Sequence, residues 1–351
     1  MNLIAKDSAW RIPDRITSTG ASSRDAGIDT MRGIAILMVI GIHSLQQPLG
    51  SWTTSIDASL RPCVPIFLFA SGYLTAHTGR VPLWKRLKAT LIPYSIAFGA
   101  AYIYMTVHNS AMDHRPVTTI ARYLLAYAFV YYYVFVYVGC TLGLWLVFSV
   151  SRLGAPPSKT RLVVLLLLAI ALGLIAGSYL DPLLSRLGFP APVVEEVRMR
   201  DIPFWFSFMA LGTLVGLSGP RSSLSDFRVV LSAATLLAFI IYAAVRLFDL
   251  GDAADYDSVA FFGYAALFVI LLLVLDIRSP YLAVLGSGSY FIYLWHIFIV
   301  MTLRDHAALH RFGPVASFSI TYAVTAVGSI AALLAIQATG PSQLRRWLGA
   351  S

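Results

Sequence analysis

Three features of the sequence predict an all-α membrane protein of about ten transmembrane helices with no soluble domain. The first is composition: 58% of the 351 residues are apolar, 12% are charged, and mean hydropathy is +0.74. A soluble domain carries about twice that charged fraction, so too little polar surface remains to coat a water-soluble globule. The second is run length, because several apolar stretches exceed the roughly 18–20 residues a helix needs to cross a hydrocarbon core. The third is charge placement. Charged residues fall in short intervals between the runs, where basic side chains set orientation. The formal net charge of +9 is not gathered into a binding stripe, so a nucleic-acid partner is not expected. Cys63 and Cys140 lie inside apolar runs without His or Cys at metal-ligand spacing, so neither a disulfide nor a metal site is expected.

In chain order, residues 1–28 read as a flexible cytoplasmic tail, polar and without the apolar core of a secretory signal. Residues 29–340 read as the membrane domain, and 341–351 as a short cytoplasmic tail. Spans are expected near 33–49, 62–79, 88–107, 131–150, 161–180, 202–218, 227–246, 258–275, 281–302 and 313–337. Between 116 and 150 there is too little chain for two crossings of about 20 residues and a turn. We read 116–130 as an interfacial or re-entrant helix leading into a single span. With a cytoplasmic N-terminus, 17 of the 26 basic residues fall inside and 11 of the 17 acids outside. That is the bias of the positive-inside rule, and an even number of spans returns the C-terminus to the cytoplasm.

The first span carries the chemistry. Ten residues separate Arg32 from His43, so at 100° per residue the two lie within about 20° of each other on one helix face, about 16 Å apart along the axis. Arg32 sits at the cytoplasmic mouth and His43 past the midplane, and an ionisable group at that depth usually faces a polar pathway. A neutral imidazole there can act as a general base toward a hydroxyl that attacks a thioester carbonyl. The bland alternative is a structural histidine bonded to a neighbouring helix. Asp29 is expected to cap the first span and can also pair with Arg32.

These residues, with others downstream, resemble the integral-membrane acyltransferase family 3. The stretch IDTMRGIAILMVIGIH resembles its first-helix signature of a basic residue, ten intervening residues and a histidine. PIFLFASGYL (Pro65 to Leu74), RDIPFWFSFMALG (Arg200 to Gly212) and LGSGSYFIYLWH (Leu285 to His296) resemble later motifs, in the expected order. The resemblance implies a multi-pass enzyme of the bacterial inner (plasma) membrane. It would move an acyl group, most often acetyl, from a cytoplasmic acyl-CoA co-substrate to a sugar hydroxyl of a cell-surface or lipid-linked glycan. It implies His43 as the essential histidine and Arg32 as its basic partner. The family often has two arginines separated by two residues in the second cytoplasmic interval. Here Lys85-Arg86-Leu87-Lys88 keeps only the spacing, through Lys85 and Lys88.

Lys85, Arg86 and Lys88 are candidates for the donor phosphates, with Arg86 favoured for its bidentate fork. Ordinary headgroup anchoring explains any one of them about equally well. Ser71, beside Gly72 in the second span, is a weaker acceptor-site candidate, since a Ser-Gly pair commonly serves close helix packing. His296, one turn after Tyr293, is placed to orient the acceptor or to donate to a developing oxyanion, with a helix–helix hydrogen bond as the alternative. Tyr133, in the aromatic stretch from Tyr127 to Tyr137, can stack on a sugar, although an interfacial aromatic belt explains most of that stretch. The working geometry is a cavity among the first, second, third and ninth spans, joining Arg32 to His43. Two other readings stand beside it: a glycan or lipid-linked sugar exporter without acyl transfer, and acyl transfer to a non-sugar acceptor.

Overall fold

The computed structural model describes residues 25–109, 111–127, 130–153, 158–219, 225–250 and 256–350. The tail up to residue 24, with Lys6, Arg11, Arg15 and Arg24, lies outside the described residues, as do Arg221, Asp252 and Asp255. Among the described residues every regular element is helical.

Each of the ten expected intervals contains a helix. They are α1 (Ala26–Ser44), α3 (Cys63–Thr78), α4 (Leu83–His108), α6 (Tyr132–Ser151), α7 (Lys159–Arg186), α9 (Ile202–Ser218), α10 (Arg228–Leu247), α11 (Val259–Leu275), the pair α12 (Pro280–Ser287) and α13 (Ser289–His306), and α14 (Gly313–Thr339). Shorter helices α2 (Ser51–Leu60), α5 (Pro116–Leu124), α8 (Ala191–Met199) and α15 (Ser342–Leu348) lie between or after them. Among the described residues, seven helices are long and apolar enough to cross a membrane, α8 and α9 counting as one, or eight if α12 and α13 form one bent span. With 16 and 17 residues, α3 and α11 would span only about 24–26 Å, a little less than a typical hydrocarbon core.

Four details depart from the sequence reading. The cap of α1 is Asp25, whose carboxylate accepts from Gly27 N (3.0 Å) and Ile28 N (3.2 Å). Asp29 instead lies in the first turn and pairs with Arg32 at 3.5 Å. The helix also stops at Ser44, short of 49, consistent with the disfavoured helical conformation before Pro48. Residues 281–302 form two helices bent by 78° at Gly288. The short arm α12 lies along the start of α1, and only glycine fits at the contact. A Cβ on Gly33 would overlap the Leu282 carbonyl, and one on Gly286 would overlap the Asp29 carbonyl. The C-terminal segment folds back as α15, where Trp295 Nε1 donates to Leu348 O at 3.3 Å.

In the region expected as an interfacial or re-entrant helix, Pro116–Leu124 is helical, and residues 128–129 lie outside the described residues. Its amphipathic helix α5 runs beside α4: His114 meets Tyr102 at 2.9 Å, while Tyr123 stacks on Tyr94 with ring centroids 5.2 Å apart. Tyr94 is eight residues nearer the α4 N-terminus, so the segment descends by about 12 Å. Irregular backbone at such depth must find internal partners. It does: Tyr94 Oη donates to Tyr123 O (2.8 Å), Arg200 Nε to Leu125 O (2.8 Å) and Tyr293 Oη to Val130 O (2.7 Å). Tyr131, Tyr133 and Val134 are buried, so α6 starts inside the bundle.

Candidate active site

The site is assembled where α1 lies against α13. On α13 the residues Ser289, Tyr293, His296, Val300 and Arg304 follow at steps of four, three, four and four, which lines them along one helix face. Arg32 donates from Nη2 to Ser289 Oγ at 3.3 Å while its other amino group pairs with Asp29. The break at Gly288 is what presents Ser289 to Arg32, because it puts the first turn of α13 beside the second turn of α1. At the far end of α1, the His43 ring stands 5.4 Å from the His296 ring, centroid to centroid. Arg32 and His43 therefore both touch the same face of α13, and the shared face expected from their spacing is the face that meets a partner helix.

Between these two ends runs a file of rings. Tyr133 lies within electrostatic reach of Arg32 and makes an edge contact with Tyr293 at 5.4 Å. Tyr293 lies 6.4 Å from His296. The structure thus brings together Arg32, Tyr133, Tyr293, His296 and His43, and the rings occupy the shared face of α1.

His296 is fully buried, with 0% of its surface exposed. Its Nδ1 approaches only carbonyl oxygens, Ile292 O at 3.0 Å and Tyr293 O at 2.9 Å. A carbonyl cannot donate, so the Nδ1 position carries the hydrogen. The neutral ring then presents a lone pair at Nε2, and that atom has no hydrogen-bond partner in the structure. A buried acceptor left open costs free energy unless something binds it, and such exceptions call for a physical account. His43 is half-buried and lines a cavity of about 310 Å³ with Gln46, Gln47, Arg304, Ser317 and Thr321. Gln46 Nε2 donates to Ser317 Oγ at 2.5 Å, which ties the loop after α1 to α14.

The second cluster lies at α3 and α4. Arg86 reaches back from α4 to Thr75 Oγ1 (2.6 Å) and Ser71 Oγ (3.4 Å), so its guanidinium is held at the end of α3. Lys85 and Lys88 are exposed. Ser71 is thereby joined to Arg86. Its neighbour Gly72 serves packing: a Cβ there would overlap the Met209 carbonyl of α9, and a Cβ on Gly212 would overlap the Phe69 carbonyl of α3. Among the described residues, no three His, Cys, Asp or Glu side chains gather in a way that could hold a metal ion.

The family model described as an acyltransferase domain, of the acyltransferase 3 type, matches residues 25–334, from the cap of α1 almost to the end of α14. The chain belongs to the acyltransferase 3 family. It is an acyltransferase of many apolar helices, and the matched region contains every candidate site residue above. Neither the curated proteins nor the solved structures contain a match to this chain.

Two features of this acyltransferase escaped the sequence reading. A buried charge cluster joins α2 to α10: Asp57 accepts from Arg61 (2.8 Å) and Arg246 (2.6 Å), and Arg61 also covers the Tyr256 ring at 4.5 Å. The i,i+4 spacing of Asp57 and Arg61 signalled a helical pair, but the polar stretch around them read as a loop. Arg304 was counted only among the outer charges. Its place in the His43 cavity follows from the α13 face that also carries His296.

Proposed function

We propose that this acyltransferase moves an acyl group, acetyl in the first instance, from a cytoplasmic acyl-CoA to a sugar hydroxyl of a cell-surface or lipid-linked glycan. The observation that carries this reading is the His43–His296 pair beside an open cavity, on the same face of α1 as Arg32. In it, His43 Nε2 or Nδ1 takes the acceptor's proton as that oxygen attacks the thioester carbonyl. The carbonyl π bond opens to an alkoxide, which re-forms the carbonyl as the C–S bond breaks. The His43 proton then goes to the leaving thiolate.

His296 is the positioning residue in this scheme. With Nδ1 donating to its own helix, a neutral ring cannot also donate from Nε2 to an oxyanion. It can accept the N–H on the inner nitrogen of His43, which fixes the other nitrogen as the base, as an orienting acceptor does in other histidine sites. Arg32 and Arg86 suit the phosphates of the donor, with Lys85 and Lys88 as looser point charges at the same end. Ser71 acts by holding Arg86, and Tyr133 and Tyr293 stand between Arg32 and His43, so the thiol arm would have to pass them to reach His43. In this reading the chain crosses the bacterial inner membrane ten times, with α3 and α11 as short spans and α12–α13 as a broken one, and both termini are cytoplasmic.

The test is acyl transfer from labelled acetyl-CoA by purified protein in lipid nanodiscs, with surface glycans extracted from the same cells as acceptor. The variant His43→Ala should accumulate normally and lose about 10²–10⁴-fold in rate, the usual worth of a general base. Near-normal turnover by that variant would remove His43 from the chemistry. Donor that is never consumed by the native protein would favour an exporter.

A further inference from the structure

The cavity at His43 has mixed walls, with Leu45, Val300, Leu303 and Leu309 beside its polar groups, and among the described residues no carboxylate lines it. Gln46, Gln47, Ser317 and Thr321 supply neutral hydrogen-bonding groups, and the one charged residue in its wall is Arg304. Arg304 lies two helical turns after His296 on the same face of α13, and it lines the cavity with His43. Both Arg304 and Arg61 lie within electrostatic reach of the His43 ring. The acids nearby are already engaged. Asp57 is clamped between Arg61 and Arg246, and Asp305 accepts from Tyr104 Oη at 2.6 Å. Among the described residues no carboxylate lies within ion-pair distance of Arg304.

A volume of about 310 Å³ is at the lower end for small-molecule sites and suits one sugar residue of a larger chain. A neutral sugar in that space would satisfy the glutamines and hydroxyls but make no ion pair with Arg304, whose guanidinium is exposed at the cavity and free to take one. Resting on the acyl-transfer reading above, we propose that the acceptor is an anionic glycan. Its negative group, a carboxylate or a phosphate on or next to the acylated sugar, is held by Arg304 while the reacting hydroxyl faces His43. The interaction orients the ring, because a guanidinium fork binds either anion in a fixed geometry.

The experiment uses the full-length protein in nanodiscs, labelled acetyl-CoA, and surface glycans extracted from the same cells. The glycans are offered untreated, after carboxyl reduction, or after removal of phosphate by aqueous hydrogen fluoride. The proposal expects label in untreated glycan retained on an anion exchanger, and loss of acceptor activity after one of the two treatments, which assigns the anion. Arg304→Ala should raise the acceptor KM by about ten- to a hundredfold, the usual worth of a charge-assisted hydrogen bond, with donor KM unchanged. Arg304→Lys should recover part of it. Label in neutral glycan, or acceptor activity that survives both treatments, overturns the proposal and leaves acyl transfer standing. Equal losses of kcat on every acceptor for Arg304→Ala also overturn it, by placing Arg304 on the oxyanion. No label in any glycan while acetyl-CoA is consumed overturns the sugar-acceptor reading itself, and the anionic acceptor falls with it.

Discussion

At the level of single residues, the side chains that matter are those whose hydrogen-bonding capacity is left incomplete. His296 satisfies Nδ1 within its own helix and keeps Nε2 open beside His43. Replacing it by Phe preserves the shape and removes the acceptor. We expect His296→Phe to lower kcat by about ten- to a hundredfold, as the loss of a charge-assisted hydrogen bond would, with donor KM unchanged. His296→Gln, whose amide oxygen can accept, should restore part of the rate. A purely structural histidine would instead show equal losses in both variants, in step with a lowered thermal midpoint. The spacing of Arg32 and His43 was legible because a helix converts sequence separation into an angle. The partner of His43 was not, because nothing local says which of several membrane histidines a neighbouring helix will deliver.

At the level of elements, two glycine-mediated contacts set the architecture. Between α3 and α9, Gly72 and Gly212 each face a carbonyl of the other helix, and between α1 and α12, Gly33 and Gly286 do the same. Lipid supplies no hydrophobic drive for helices to associate, so close approach and the dispersion it brings carry much of the packing. We expect Gly212→Ala to destabilise the protein by about 1–3 kcal/mol, because its Cβ meets backbone that cannot rotate aside. Thermal unfolding in detergent measures this. The control is Gly263→Ala, where a Cβ meets nothing within 4 Å and the midpoint should stay in place. Of the Ser-Gly pair in the second span, Gly72 packs against α9 while Ser71 meets Arg86. The Gly-Ser-Gly-Ser stretch at 286–289 was not read as a break, because its composition is equally compatible with a continuous membrane helix. Only the crowding of α12 against α1 decides for the bend.

For the molecule as a whole, orientation is the property that charge counting addresses most directly. Single-cysteine variants at Lys85 and Arg311, in a chain with Cys63 and Cys140 replaced, should react with an impermeant thiol reagent from opposite sides of the membrane. Residue 85 should be labelled from the cytoplasm and residue 311 from outside. Labelling of both from one side would refute the odd number of crossings expected between them. The existence of apolar helices and their approximate limits follow from the sequence alone. These are local properties: apolar run length, charge between runs, and helical periodicity along one segment. Tertiary structure decided the rest. Descent of the α5 segment places Tyr133 beside Tyr293, Gly288 turns Ser289 toward Arg32, and α13 sets His296 and Arg304 around His43. Each is a contact between segments far apart in the chain, fixed by close packing and by the need to satisfy buried polar groups where water is absent.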